Sequence, residues 1–320
     1  MKVVITGGAG FLGLRLAGAV LRDGVGGVAV DRLVLADRIE AALADPRAEA
    51  LAGDVVEPAF VDRVIGDDVD IVFHLAAVVS GEAEADFDLG MRVNVDASRL
   101  VLEACRRTGR CPRVVFTSSV AVFGPTSTDG IDDRTAVDPR SSYGAEKAIA
   151  ELLLKDYTRR GFVDGIVLRL PTISVRPGKP NRAASSFASG IIRDPLSGID
   201  AICPVSPETA LWLLSPRRAI EALLRAAAID GDQLDNDRVV NLPGISVTVA
   251  QMVAALRHAG GEAAVGRLKW QRDPAIERIV ASWPRDWDDS RARRIGFRGD
   301  ADFAAIVQAF VEDELGVVRA

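Results

Sequence analysis

Tyr143 and Lys147 stand four residues apart in Ser141-Ser-Tyr-Gly-Ala-Glu-Lys147. The chain holds 5 Lys against 34 Arg, and only 2 Tyr, so a chance Tyr-x-x-x-Lys match is rare. On a helix, positions i and i+4 share a face, which puts the ammonium beside the phenol. A phenol is un-ionised at neutral pH, and a nearby cation lowers its pKa. That pairing suits an acid or base for interconverting an alcohol and a ketone. Taken alone, the pair also reads as two residues on a solvated helix face, so the surrounding sequence must decide.

Such a pair needs a scaffold, and the scaffold begins at residue 2. Lys2 to Thr6 is a short β-branched run that predicts a buried strand. It enters Gly7-Gly-Ala-Gly10-Phe11-Leu12-Gly13, and an apolar stretch with helical spacing follows. Strand, glycine turn and helix form the context of a dinucleotide site. Gly7 allows the tight turn, Gly10 the approach of a pyrophosphate, and Gly13 the close packing of the helix. Leu33–Ala36 predicts a second strand ending at Asp37, whose carboxylate would accept from both adenosine ribose hydroxyls and repel a 2′-phosphate. This favours NAD over NADP. Asp37 lies 24 positions after Gly13, against an interval of about 20. The excess falls in the lengthened Gly24–Asp31 connection. Asp31 competes for the role but precedes the apolar run. Arg38 suits a phosphate, or is a solvated charge.

The alternation continues. Residues 53–55 end a third strand, with Asp54 placed for the adenine edge. Residues 70–77, 112–119 and 165–170 predict further strands, 93–105 and the Tyr143 segment helices, and 238–242 a late strand. Alternating strands and helices imply parallel β-α-β units, hence an α/β fold with a doubly wound (Rossmann) parallel sheet. Ligands in such sheets bind beyond the carboxyl ends of the strands, where Ser118, Ser119, Tyr143 and the turn after Leu170 would converge. The expected division is a nucleotide-binding domain over 1–170, completed by about 213–243. A smaller interleaved α+β substrate lobe takes 171–212 and 244–320.

With these motifs the chain resembles the extended short-chain dehydrogenase/reductase family, which includes nucleotide-sugar epimerases and dehydratases. The resemblance rests on Thr6–Gly13, His74-Leu-Ala-Ala77, Asn94, Thr117-Ser-Ser119, Tyr143-x-x-x-Lys147 and Leu168-Arg-Leu-Pro171. The stretches 74–88, 169–178 and Leu211-Trp-Leu213 resemble the D-erythronate dehydrogenase branch, which oxidises C2 of that sugar acid with NAD to 2-oxo-erythronate. The resemblance implies that Tyr143 is the general base, and that Lys147 holds the nicotinamide ribose and lowers the phenol pKa. Ser119 would hold the reacting oxygen, with Ser118 the alternative. Phe11, Leu12, Asp54, Val55, Leu75, Ala76, Ala77 and Pro171 would line NAD. Asn94 would support a turn or a water beside the site. Phe123 departs from the Tyr common in the family, which removes one hydroxyl. His74 is expected to be a buried supporting residue rather than an acid–base group.

A small hydroxy acid needs a cation or several N–H donors for its carboxylate. Arg176, Arg182 and Arg217 are the candidates, although most of the arginines are surface charges. Ser80, Glu82, Asp86, Thr172 and Ser174 follow strand ends on the same side. Trp212 is a wall of the smaller lobe or part of its core. A net charge of −6 argues against nucleic acid, and no apolar stretch approaches a membrane span. With Lys2 opening a strand, no signal peptide is expected. Three scattered cysteines and two histidines disfavour a structural metal, and the expected location is cytoplasmic. The expected assembly is a homodimer built from the helices around 93–107 and 143–160. Two other readings stay open: a nucleotide-sugar epimerase or dehydratase, and a non-catalytic NAD-binding protein.

Overall fold

Apolar runs without alternation belong to strands covered on both faces. The computed structural model describes residues 1–124, 130–178, 183–234 and 237–316. Its main sheet contains β1 (Lys2–Thr6), β2 (Arg32–Asp37), β3 (Ala48–Ala52), β4 (Ile71–His74), β5 (Arg113–Ser119) and β6 (Asp164–Leu170). The chain then forms β7 (Thr172–Ile173), β8 (Ala201–Cys203) and β9 (Ala210–Leu214) before β10 (Val239–Asn241) completes the sheet. The strand order is β10-β6-β5-β4-β1-β2-β3. Pairing is parallel from β3 through β5 and between β6 and β10. Every residue of β1 and β4 is buried, whereas β3, at the edge, is partly exposed. The order reverses between β1 and β4, so a ligand crevice belongs outside their carboxyl ends.

The helices of this half are α1 (Phe11–Asp23), α2 (Pro58–Ile65), α3 (Ser80–Ala85), α4 (Phe87–Gly90), α5 (Ala97–Arg107) and α6 (Ser142–Arg159). A π-helical turn, Met91–Asp96, joins α4 to α5. Val64, Val101, Leu102, Cys105, Val114 and Leu154 are among the residues of one buried core. Ser141 caps α6, its Oγ accepting from the Gly144 N–H at 3.2 Å. That cap fixes where the helix carrying Tyr143 starts.

The chain divides into two compact units, 1–122 with 141–169 and 220–241, and 123–140 with 170–219 and 242–320. The second unit contains β11 (Ile245–Thr248), antiparallel to β9, while β7 pairs parallel with β9. β12 (Leu268–Trp270) pairs with β8. Its helices include α7 (Phe187–Leu196), the first turn of α8 (Pro216–Ala228), whose remainder belongs to the first unit, α9 (Val249–Val265), α10 (Pro274–Ala281), α11 (Ser290–Arg294) and α12 (Phe303–Phe310). Ile191, Met252, Leu256, Ile306 and Phe310 belong to its separate core. Residues 123–124 and 130–140, which the sequence places with the nucleotide-binding domain, fold with this unit. Phe123 packs edge-on against Trp287, with ring centroids 6.3 Å apart, and Ile131 forms a β-bridge to Trp287.

Candidate active site

The glycine loop follows β1. Gly7 has φ 72°, and a Cβ there would lie 2.9 Å from the Ala76 nitrogen. A Cβ on Gly13 would run into the Gly7 carbonyl oxygen and come within 2.9 Å of the Gly8 Cα. Only glycine fits either position, because the neighbours are backbone. Gly10 opens α1 without a side-chain cap. The first-turn N–H groups of Phe11, Leu12 and Gly13 have no intrahelical acceptor by helix geometry, which suits a phosphate. Asp37 ends β2 and reaches into the loop, its Oδ2 accepting from the Ala9 N–H at 3.1 Å and its Oδ1 from the Arg38 N–H at 2.7 Å. Asp54 lies just beyond β3, with Oδ1 accepting from the Val56 N–H at 3.2 Å, and Val55 is buried. These residues fit an adenine dinucleotide.

Lys147 is buried on α6, one turn after the half-buried Tyr143. Its Nζ donates to the Thr117 carbonyl at 3.0 Å, 4.7 Å from the Phe116 ring centroid and 5.7 Å from that of Tyr143. Burial lowers its pKa to about 8, against the opposing pull of Glu146 and Glu151. The two serines at the end of β5 have different surroundings. Ser119 is half-buried, its Oγ accepting from the Ala121 N–H at 3.2 Å. Ser118 is buried and donates to Glu151. Glu151 pairs with Arg169, Nη2 to Oε2 at 2.7 Å, and Arg169 reaches Asn241 Oδ1 at 3.4 Å. The Ser118 hydroxyl therefore belongs to a buried network that ties β5, α6, β6 and β10 together.

A second network holds the exit of β4. Ser98 Oγ donates to the Asn94 carbonyl at 2.7 Å. Its single proton spent there, it must accept from His74 Nε2 at 3.0 Å. Burial, then the charge of Lys147, lowers the His74 pKa to about 3. A neutral ring with its proton on Nε2 accepts at Nδ1, so Thr6 Oγ1 donates to it at 2.7 Å. Thr6 Oγ1 in turn accepts from the Ala76 N–H at 3.4 Å. Two residues further on, Asn94 accepts from the Val78 N–H at 3.0 Å and donates to the Val78 carbonyl at 3.2 Å. Leu75, Ala76 and Ala77, all half-buried, lie between these anchors. His74 is thus a neutral structural link. Thr6, Ser98 and Glu146, to which Asn94 donates at 2.6 Å, were not singled out from the sequence.

The candidate substrate residues fare unevenly. Ser80 and Glu82, both half-buried, open α3, while Asp86 caps α4 by accepting from the Leu89 N–H at 2.9 Å. Thr172 is half-buried on β7, and Pro171 before it is buried. Ser174 is wholly buried and donates to the Ala188 carbonyl at 2.9 Å, which removes it from solvent. Arg176 has its N–H on Ser189 Oγ at 3.0 Å and its carbonyl on Arg193. Arg217 is held by Glu312 at 2.9 Å and Asp313 at 2.7 Å, which raise its pKa. Those carboxylates already supply the partners that a substrate carboxylate would offer. Arg182 lies outside the described residues. Trp212 packs on Trp287, with centroids 5.0 Å apart, as part of its unit's interior.

Residues 3–212 match the model of the NAD dependent epimerase/dehydratase family. The chain belongs to this family. Among epimerase/dehydratase relatives it is 57% identical over 319 residues to the D-erythronate dehydrogenase of Cupriavidus necator, covering 98% of both chains. The D-erythronate dehydrogenase of Haemophilus influenzae is 46% identical over 317 residues, covering 98% of this chain and all of the relative. The nucleoside-diphosphate-sugar epimerase structure from Agrobacterium tumefaciens superposes with a TM-score of 0.93 at 42% identity, covering 99% of this chain and 95% of that one. NAD is the family's cofactor, and the glycine cradle with Asp37 accommodates it. Among the described residues no helix is long and apolar enough to cross a membrane, and no cluster of metal-ligating side chains occurs.

Proposed function

We propose that this protein is an NAD-dependent dehydrogenase that oxidises D-erythronate at C2 to 2-oxo-erythronate. The observation that carries the reading is the buried Lys147 ammonium, anchored on Thr117 and 5.7 Å from the Tyr143 ring centroid. Near-full-length identity to two D-erythronate dehydrogenases supports the substrate.

When bound, NAD supplies the hydride acceptor. Tyr143 Oη takes the proton of the C2 hydroxyl as the C2–H bond gives up its electron pair, and a ketone results. The cation on Lys147 favours negative charge on the neighbouring phenol oxygen. Ser119 Oγ holds the reacting oxygen near Tyr143. Lys147 also holds the nicotinamide ribose. Asp37 selects the unphosphorylated adenosine ribose. On sequence grounds alone, Arg176 is a candidate for the substrate carboxylate, and Ser80, Glu82 and Thr172 for its hydroxyls.

The working assembly is a homodimer, supported by Ile149 and Leu152 on the outer face of α6, 39% and 63% exposed. Free thiols at Cys105, Cys111 and Cys203 support a cytoplasmic location. A panel of four- and five-carbon aldonates with NAD or NADP, followed by absorbance of the reduced nicotinamide, tests the activity. Net NADH with D-erythronate is expected, and no turnover of any aldonate would overturn the assignment. The Agrobacterium tumefaciens likeness favours a second reading, sugar-nucleotide epimerisation. An epimerase regenerates its oxidised cofactor, so stoichiometric NADH release separates the two.

A further inference from the structure

Glu146 lies between the residues that do the chemistry and faces away from them. Adjacent positions on a helix point about 100° apart. The residue is 1% exposed, with its carboxylate beside Gly90 of α4 and Asn94 of the π-helical turn. Oε2 accepts from Asn94 Nδ2 at 2.6 Å, and Oε1 has no hydrogen-bond partner among the described residues. The side chain fills the space beside Gly90, where a Cβ would lie 2.9 Å from the carboxyl carbon. The charged groups that bear on it are Lys147 on its own helix and Glu84 of α3, whose Oε2 accepts from the Ser142 N–H at 3.0 Å. Burial raises its pKa.

We propose that Glu146 is a positioning residue for NAD, acting through Asn94 to hold the Leu75–Val78 strand exit against the glycine loop. The contacts are continuous. Glu146 fixes one N–H of the Asn94 amide, and that amide then grips Val78 through both its N–H and its carbonyl. At the near end of the same segment, Thr6 holds the Ala76 N–H, and Gly7 leaves no room for a side chain against Ala76. A segment held at 76 and at 78 presents a rigid wall. Removing Glu146 leaves a buried amide proton without an acceptor, and the amide reorients to satisfy it. The inference rests on reading Leu75–Ala77 as a wall of the NAD site.

The test is calorimetric titration of NAD into the wild type, Glu146→Ala, Glu146→Gln, Asn94→Ala and the Ala/Ala double variant, each checked for cooperative thermal unfolding. Glu146→Ala and Asn94→Ala are each expected to weaken NAD roughly tenfold, about 1.4 kcal/mol. The double variant should bind no worse than Asn94→Ala. Glu146→Gln keeps the acceptor and should bind within about twofold of the wild type. Unchanged affinity in a folded Glu146→Ala, or losses that multiply in the double variant, would overturn the proposal. If Glu146→Ala does not fold, the comparison rests on Glu146→Gln, and a loss equal to that of Asn94→Ala refutes it. A wild type that binds no NAD would refute the cofactor assignment instead.

Discussion

Lys147 donates to the backbone carbonyl of Thr117, 3.0 Å away and two residues before Ser119. This hydrogen bond joins the Ser118–Glu151 contact in setting the distance between the helix carrying Tyr143 and the strand end carrying Ser119. It does so with a cation that burial disfavours.

That conflict makes Lys147 costly to the fold. Its pKa is about 8 in the folded protein and 10.5 when exposed. Between these values the unfolded chain binds more protons, so this contribution to stability rises with pH across that window. Lys147→Met should lose turnover by about 10²–10⁴-fold. It should also unfold at a higher temperature than the wild type at pH 7, with the gap narrowing toward pH 10. The gain has an upper bound on the order of 3 kcal/mol. Differential scanning calorimetry across pH measures it, and a lower melting temperature at pH 7 would contradict this account.

His74 makes the fold sensitive to acid. Its pKa falls from 6.5 to about 3 on burial. Its contribution is complete above pH 6.5 and is lost as pH falls toward 3, at about 1.4 kcal/mol per unit. Urea midpoints between pH 5 and 7 should fall less steeply in His74→Gln than in the wild type. Parallel slopes would mean that His74 is not buried as a neutral ring.

The adjacent serines should separate cleanly. Ser119→Ala should lower kcat by about 10²–10³-fold with stability little changed. Ser118→Ala should leave chemistry nearly intact and cost about 1–3 kcal/mol, because Glu151 loses a buried donor. Kinetics and chemical denaturation on both variants check this, and the reverse pattern would exchange their roles.

Asp37→Ala should narrow the NAD/NADP preference in kcat/KM by roughly tenfold or more, since the repulsive carboxylate is gone. It should also loosen the loop at Ala9. An unchanged ratio would show that selectivity lies elsewhere.

Much of the main sheet and the glycine loop was legible, because buried parallel strands are unbroken apolar runs and the turn admits glycine alone. The Tyr143–Lys147 pair was legible because its spacing is local. Three features were not. Glu146 and Glu151, read singly, are ordinary solvated helix residues, and only packing shows that α6 turns both inward. The stretch around Phe123 and Ile131 carries no periodicity, so the place of these two residues depends on Trp287, far along the chain. Arg217 resembled a ligand for an anion until its own carboxylates appeared, about 95 residues later in sequence.

The π-helical turn at Met91–Asp96 carries one residue more than a regular helix of the same rise would need. Deleting a residue from a helix usually breaks its packing. Here a single deletion between Asn94 and α5 would relax the turn into ordinary α-helix and leave α5 in place. The amide of Asn94 would swing by about 100° and release Val78. The surplus residue acts as a setting for one side chain's compass bearing, and evolution can change that setting without rebuilding the helix.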